Sequence, residues 1–354
     1  MTDADTTARD RAASSRGVQL TVTSVIEENE DTKSLVFAVP DEHQSRFEYR
    51  PGQFLTLRIP SSLTGSVARC YSLASSPHAG EAPKVTVKRT DGGYGSNWLC
   101  DNVSAGDFIE VLPPSGLFTP HDLDADHLLW AAGSGITPVI SILKSVLCAG
   151  SGRVILCYAN RDERSVIFAA ELRDLAARYA GRLTVLHWLE SVQGLPSRAQ
   201  LSGFAQMFTG YQSFICGPGP FMDVVTEALS EAGTPRENIH LEVFQSLSGD
   251  PFADTEDVEI TDDGDAAAAE VTLDGQVHNL RWPSGRNLVD VMLTAGIDVP
   301  FSCREGSCGS CAATVVDGEV ELGNTAILEE EDIAEGIFLA CQAHPRSDIV
   351  KIEF

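Results

Sequence analysis

The chain has no apolar run approaching the roughly 18 to 20 residues that a membrane-crossing helix requires. The apolar segment around Leu128 to Ala132 is broken within a few positions by Gly133 and Ser134. A membrane-spanning protein is therefore not expected. Positive charge is scarce: 25 Lys and Arg stand against 51 Asp and Glu, a net charge of −26. A surface of that sign repels nucleic-acid phosphates and anionic lipid headgroups, which removes both as partners. The first 17 residues mix Asp3, Asp5, Arg9, Asp10, Arg11 and Arg16 with Thr, Ala and Ser and hold no apolar secretion segment. They read as a disordered tail on a cytoplasmic protein. The eight histidines are scattered, without a His-Glu-x-x-His helix or a triad pattern, so hydrolytic chemistry has no anchor. No internal repeat is present.

Nine cysteines is an odd count, and with no export segment metal or redox chemistry is expected in place of a disulfide framework. At 43% hydrophobic and 21% charged the composition is that of a globular protein. At roughly 150 residues per domain the length makes two or three domains. From Val18 to about Pro120 short β-rich runs alternate with turns: Val18 to Val25, Ser34 to Val39, Phe54 to Ile59, Lys84 to Lys88 and Phe108 to Leu112. They predict a small antiparallel barrel over 18–122. From Asp124 strands alternate with helices, which predicts a doubly wound parallel α/β domain over 123–246.

Between Arg236 and Arg281 there is no Lys or Arg, while eight acidic residues crowd positions 250 to 265. Such like-charge density resists collapse, so 247–269 is expected to be a linker. A third unit over 270–354 shows an alternating hairpin, a short helix from Leu288 to Ala295, a cysteine-rich loop and closing strands.

In that loop Cys303, Cys308 and Cys311 are spaced C-x4-C-x2-C, and Cys341 follows at a distance. This is the ligand arrangement of a plant-type [2Fe–2S] centre. Soft thiolates suit the iron core, and Gly306 and Gly309 let the backbone wrap close to the sulfurs. Structural zinc sites use two short paired knuckles, which three cysteines in one loop do not match.

Two glycine turns follow strands of the α/β region. Gly133-Ser134-Gly135-Ile136-Thr137-Pro138 joins the first strand to a helix, and Cys216-Gly217-Pro218-Gly219-Pro220-Phe221-Met222 joins a later pair. Glycines in such turns admit a pyrophosphate to the free N–H groups of a helix N-terminus, although a tight turn by itself also favours glycine. In the barrel, Arg69-Cys70-Tyr71-Ser72 and Gly93-Tyr94-Gly95-Ser96 offer an arginine for phosphate, an aromatic ring for a planar ligand and a second helix start.

Taken in order, RCYS, GYGSNWL, GSGITP, CGPGPFM and the cysteine loop resemble the motifs of ferredoxin–NADP reductase-like flavoproteins that carry a C-terminal plant-type ferredoxin domain. The resemblance runs from Val18 to Phe354. The stretches PGQFLTLRIPSSLTGSVARCYSL and PFSCREGSCGSC are similar to reductase components of two-component Rieske oxygenases. The resemblance implies an antiparallel flavin-binding β-barrel, an α/β NAD-binding domain and an α+β ferredoxin domain of β-grasp type. It implies FAD, NADH and a [2Fe–2S] cluster, with a separate Rieske-type oxygenase as acceptor. A nicotinamide gives two electrons as hydride while the cluster takes one at a time, so a flavin converts between them.

Carried residue by residue, the resemblance puts Arg69 and Ser96 at the flavin phosphates, Tyr71 against the ring and Ser72 at its reacting side. Cys70, Val87, Lys88, Gly93 and Gly95 complete that pocket. The nucleotide would lie on Gly133, Ser134, Gly135, Thr137, Pro138, Asn160, Arg161, Gly217, Pro218, Gly219 and Met222. Cys216, Glu242 and Phe244 would stand near the reacting rings. Asn160-Arg161-Asp162-Glu163 offers both an acid for the ribose hydroxyls of NADH and an arginine for the extra phosphate of NADPH, and the resemblance tips the donor to NADH. From Glu270 onward 15 acidic and 5 basic residues give −10, which suggests a basic docking patch on the acceptor. The same architecture serves reductases of acyl-CoA epoxidases and of hybrid-cluster proteins. An iron–sulfur sensor with a vestigial flavin domain is the reading from another class, and the intact RCYS and glycine turns argue against it.

Overall fold

The computed structural model describes residues 17–354, apart from 245–246, 248–250, 253–265, 274, 298, 302, 307, 326 and 329. Apart from Gly17, which is buried against Glu110, the expected N-terminal tail lies outside the described residues, as does most of the expected acidic linker.

The first unit consists of β1 (Val18–Asn29), β2 (Thr32–Ala38), β3 (Phe54–Ser61), β4 (Gly65–Ser72), β5 (Lys84–Lys88), α1 (Tyr94–Asn102) and β6 (Phe108–Ser115). Its antiparallel strands run in the order β4-β3-β6-β1-β2-β5. The sheet curls until its two ends meet, Leu73 bridging to Val85. Leu20, Leu35, Phe37, Leu57, Ile59 and Val111 fill the interior. Five of these strands are those expected from the sequence. β4 is additional: Gly65, Ser66, Arg69, Cys70 and Ser72 break the apolar alternation that marks a half-buried strand.

The second unit contains β7 (His127–Ala132), α2 (Ile136–Ala149), β8 (Val154–Asn160), α3 (Ala169–Arg178), β9 (Leu183–Leu189), α4 (Glu190–Gln193), α5 (Arg198–Ala205), β10 (Gln212–Cys216), α6 (Gly219–Ala232) and β11 (Ile239–Glu242). The strands are parallel, in the order β11-β10-β7-β8-β9. One face packs on α2 and α3 through Leu129, Val139, Leu143, Leu156 and Leu172. The other packs on α5 and α6 through Leu128, Trp130, Leu201, Val225 and Leu229. The chain passes from β7 outward to β9, then returns to β10 on the other side of β7. The β7/β10 junction is thus the switch point, where the crevice at the carboxyl ends of the strands opens for ligands.

A polar seam joins these units. The Ser141 hydroxyl donates to the Ser75 carbonyl at 2.6 Å, and the Ser76 and Ser145 hydroxyls meet at 2.8 Å. Beside them Glu171 of α3 takes Lys144 at 2.9 Å and Lys84 of β5 at 3.2 Å.

The third unit comprises β12 (Ala266–Leu273), β13 (Gln276–Pro283), α7 (Leu288–Thr294), β14 (Ala312–Asp317), β15 (Val320–Glu321), α8 (Glu330–Ala334), β16 (Ile337–Leu339), β17 (His344–Pro345) and β18 (Ile349–Glu353). Its mixed sheet, β13-β12-β18-β14-β16, is covered by α7 around Trp282, Leu288, Met292 and Phe338. The unit starts earlier than the sequence reading placed it, because the alanines at 266–269, assigned to the linker, belong to β12. Ala267 and Ala269 point inward while Ala266 and Ala268 do not, an alternation of small side chains too weakly apolar to read as a strand.

Candidate active site

Along β4 the two-residue period puts Arg69 and Tyr71 on one face and Cys70 and Ser72 on the other. A β-carbon on Gly95 would lie 3.0 Å from Arg69 Cγ, so the arginine stem crosses the first turn of α1. The guanidinium and the free N–H groups of that turn meet at one corner, a donor set that fits a diphosphate. Asn97 Nδ2 donates to the Gly93 carbonyl at 2.6 Å, and Ser96 Oγ accepts the Thr90 N–H at 3.1 Å. Ser96 thus shapes the turn as well as edging the corner. Tyr71 is half-buried, and burial pushes its phenol well above the usual range, keeping it neutral. Cys70 meets the Thr56 hydroxyl at 3.4 Å. Ser72 is buried opposite Phe54. Lys88 faces out beside Asp31. The structure does not bring the Val87 side chain to this corner: it lies in the barrel core, and its carbonyl accepts the Cys100 thiol.

At the switch point the two glycine turns are neighbours, because Ala131 of β7 pairs with Cys216 of β10. Gly135 abuts the Cys216 carbonyl, and a β-carbon there would also lie 2.7 Å from the Gly217 nitrogen. Gly133, at φ +53°, has nothing within 4 Å of its missing β-carbon, and neither has Gly219. One glycine is therefore required by packing, and two leave open a cradle that a side chain would fill. Thr137 is buried and its hydroxyl donates to the Ser134 carbonyl at 3.1 Å; Pro138 sits in the first turn of α2. The second turn exposes Pro218 and Gly219, whereas Met222 is buried between α6 and the sheet.

Asn160 ends β8 at the same edge. Its buried amide atoms make no well-formed hydrogen bond, although the Tyr158 hydroxyl is a polar neighbour. A bound nucleotide would satisfy them. Arg161 is exposed, while the Asp162 carboxylate is engaged by the N–H groups of Arg164 at 3.1 Å and Ser165 at 2.9 Å.

Cys216 pairs directly with Glu242 on β11. Burial drives the Cys216 thiol far up, with the Glu242 charge adding to it, so it is a neutral packing group at the floor of the crevice. Burial likewise pushes the Glu242 carboxyl up to about 8. Phe244 lies half-exposed just beyond it.

The four cysteines of the third unit converge. Cys308 touches Cys303, and Cys341 touches both Cys303 and Cys311. Main-chain N–H groups point at the sulfurs: Cys303 N to Cys308 Sγ at 3.3 Å, Glu305 N to Cys303 Sγ at 3.3 Å, Cys341 N to Cys311 Sγ at 3.4 Å. The thiols are linked in a chain of pairwise contacts, and four cysteines with donors aimed at them fit a two-iron core.

No sequence motif marks the contacts that hold this loop. Gln342 Nε2 donates to the Arg304 carbonyl and Asn324 Nδ2 to the Glu305 carbonyl, each at 2.9 Å. Arg304, in left-handed backbone at φ 60°, pairs with Asp290 of α7 at 3.0 Å. Only the position of Gln342 beside Cys341 hinted at this.

Three family models match the chain: an oxidoreductase FAD-binding domain over residues 19–119, an oxidoreductase NAD-binding domain over 129–227 and a 2Fe-2S iron-sulfur cluster binding domain over 271–346. The 3-ketosteroid-9-alpha-monooxygenase ferredoxin reductase component of Rhodococcus rhodochrous is 64% identical over 342 residues, covering 96% of this chain and 97% of the relative. The protein of the same name from Mycolicibacterium smegmatis is 56% identical over 98% of this chain and 99% of its own. Among solved structures, phthalate dioxygenase reductase shares the fold with a TM-score of 0.55 at 24% identity, covering 96% of this chain and 98% of that one.

Proposed function

The chain belongs to the family of ferredoxin reductase components of monooxygenases, with FAD-binding, NAD-binding and 2Fe-2S domains in one polypeptide, and on that premise we propose that it feeds electrons from NADH to the Rieske-type oxygenase of a 3-ketosteroid 9α-hydroxylating system. The observation that carries this reading is the end-to-end likeness to the Rhodococcus reductase. Action in the cytoplasm, where NADH is supplied, belongs to the same proposal. When bound, FAD supplies hydride acceptance and the cluster supplies one-electron transfer.

The chain's own residues do the positioning. The open backbone at Gly133 and Gly219 takes the nucleotide phosphates, and the Asn160 amide takes a polar edge of the same ligand. Arg69 and the first turn of α1 take the flavin diphosphate, and Tyr71 offers a neutral aromatic face. Glu242, protonated below about pH 8, can keep a proton at the edge of the crevice without placing a charge there. The four thiols and their N–H donors hold the cluster.

Reconstitution tests the reading. The purified reductase, a steroid oxygenase component, a 3-ketosteroid and NADH should give steroid-dependent NADH consumption and a hydroxylated steroid. Turnover with an acyl-CoA epoxidase oxygenase and none with the steroid enzyme would replace the acceptor. A kcat/KM favouring NADPH would refute the choice of donor.

A further inference from the structure

The cysteine loop meets the barrel at a position no motif marked. A β-carbon on Gly309, which lies between Cys308 and Cys311, would sit 2.7 Å from Leu117 Cδ1 and 2.8 Å from Leu117 Cγ. Leu117 belongs to the segment that leaves β6, and it remains 48% exposed. Its neighbours fix it. Gly116 adopts φ +121° against the Phe54 ring, and its carbonyl accepts Gln53 Nε2 at 3.2 Å. The Leu117 carbonyl accepts the Thr119 N–H at 2.7 Å, and Phe118 is buried in the core of the α/β unit. Leu117 is thus an apolar knob on a rigid turn.

The turn lies at the flavin end of the barrel. Phe54 pairs with Ser72 on one side and with Ser115 on the other. The step from Ser72 to Ser115 is therefore two strand spacings, roughly 10 Å. A knob two residues beyond Ser115 thus lies a few strand spacings from Ser72 and touches the loop that would hold the cluster.

We propose that Leu117 is the seat on which the cysteine loop docks, a positioning residue that sets the gap for electron passage from barrel to cluster. The proposal rests on the flavin-and-cluster reading above. Each passage takes one electron from the reduced flavin and adds one to the cluster; the cluster must hand that electron to the one-electron protein acceptor of the proposed function before the second passage, so two passages and two acceptor reductions account for the pair delivered by NADH. Gly309 supports the assignment from its own side, because at φ +71° and in contact with Leu117 it has neither the backbone nor the space for a side chain.

The test uses the holoenzyme and leaves Gly309, which also shapes the cluster site, untouched. In Leu117→Arg, anaerobic mixing with NADH should bleach the flavin within twofold of the parent rate, while cluster reduction slows at least tenfold. Hydrogen exchange across 303–311 should rise, and Leu117→Met should restore both. Cluster reduction within twofold of the parent overturns the proposal, whether or not exchange rises. If the arginine lowers flavin content, Leu117→Ser is read by the same criteria. A parent whose flavin is not reduced by NADH would sink the reductase reading, and the exchange comparison would still decide whether Leu117 is the seat.

Discussion

The ammonium of Lys144, on α2, stands 2.7 Å from Glu81 Oε2, on the loop that leads into β5. Only 4% of the Lys144 side chain is exposed, and it also holds Glu171 of its own unit. One buried cation therefore helps tie the α/β unit to the barrel, beside the serine pairs and the Lys84–Glu171 pair of the same seam.

Lys144→Met keeps the volume and removes the charge. Breaking a buried pair strands its partners, but both carboxylates here are partly solvated, so the loss should be about 2 kcal/mol, or a melting temperature lower by about 5 °C. Burial acts to raise the Glu171 carboxyl, yet Lys144 and Lys84 override it and hold it below its ordinary value. A lowered pKa contributes stability above the ordinary carboxylate range and loses it as pH falls through the folded value. The penalty of the variant should accordingly shrink on acidification below about pH 4. Equal melting temperatures at pH 7 would show the network to be neutral.

Gly135→Ala and Gly133→Ala should behave differently. A methyl on Gly135 meets the backbone of Cys216 and Gly217, so this variant should lose about 2 kcal/mol or more of stability together with nucleotide binding. A methyl on Gly133 meets open space, costing about 1 kcal/mol of left-handed strain, and should fold but raise KM for NADH at least tenfold. Thermal melts beside steady-state kinetics separate the two; an unchanged KM in Gly133→Ala would remove that turn from the nucleotide site.

With Glu242 titrating near 8, flavin reduction by NADH should fall as pH rises through about 8, where the carboxyl ionises beside the crevice. Glu242→Gln should flatten that limb. Its stability should also gain on the parent between about pH 4.5 and 8, because a raised carboxyl pKa costs the folded state progressively over that interval. An unaltered limb in the variant would assign the inflection to another group.

Cys308→Ser removes one of the four sulfurs. The iron–sulfur absorption and electron delivery to any one-electron protein acceptor should fall by 100-fold or more, while NADH continues to bleach the flavin. Full iron content in the variant would take Cys308 out of the ligand set.

Delivery to the oxygenase should slow several-fold between about 10 mM and 500 mM salt if the acidic third unit steers docking. Rates independent of salt would make that charge a solvated surface and nothing more.

Sequence alone determined what is local. The spacing of Cys303, Cys308 and Cys311, the two glycine turns, and the alternation of strands with helices are properties of short chain segments. They report the chemistry a segment can perform wherever the fold puts it. Strand β4 escaped because its polar residues erase the apolar period, and the alanines at 266–269 escaped because small side chains carry little of it. Tertiary structure decided the rest. That Cys216 lies beside Glu242, that Lys144 reaches Glu81, and that Leu117 meets Gly309 depend on sheet order and domain contact between residues far apart in the chain, for which no period exists. Protonation followed the same division: the neutral state of Glu242 comes from desolvation, which only the packed fold creates.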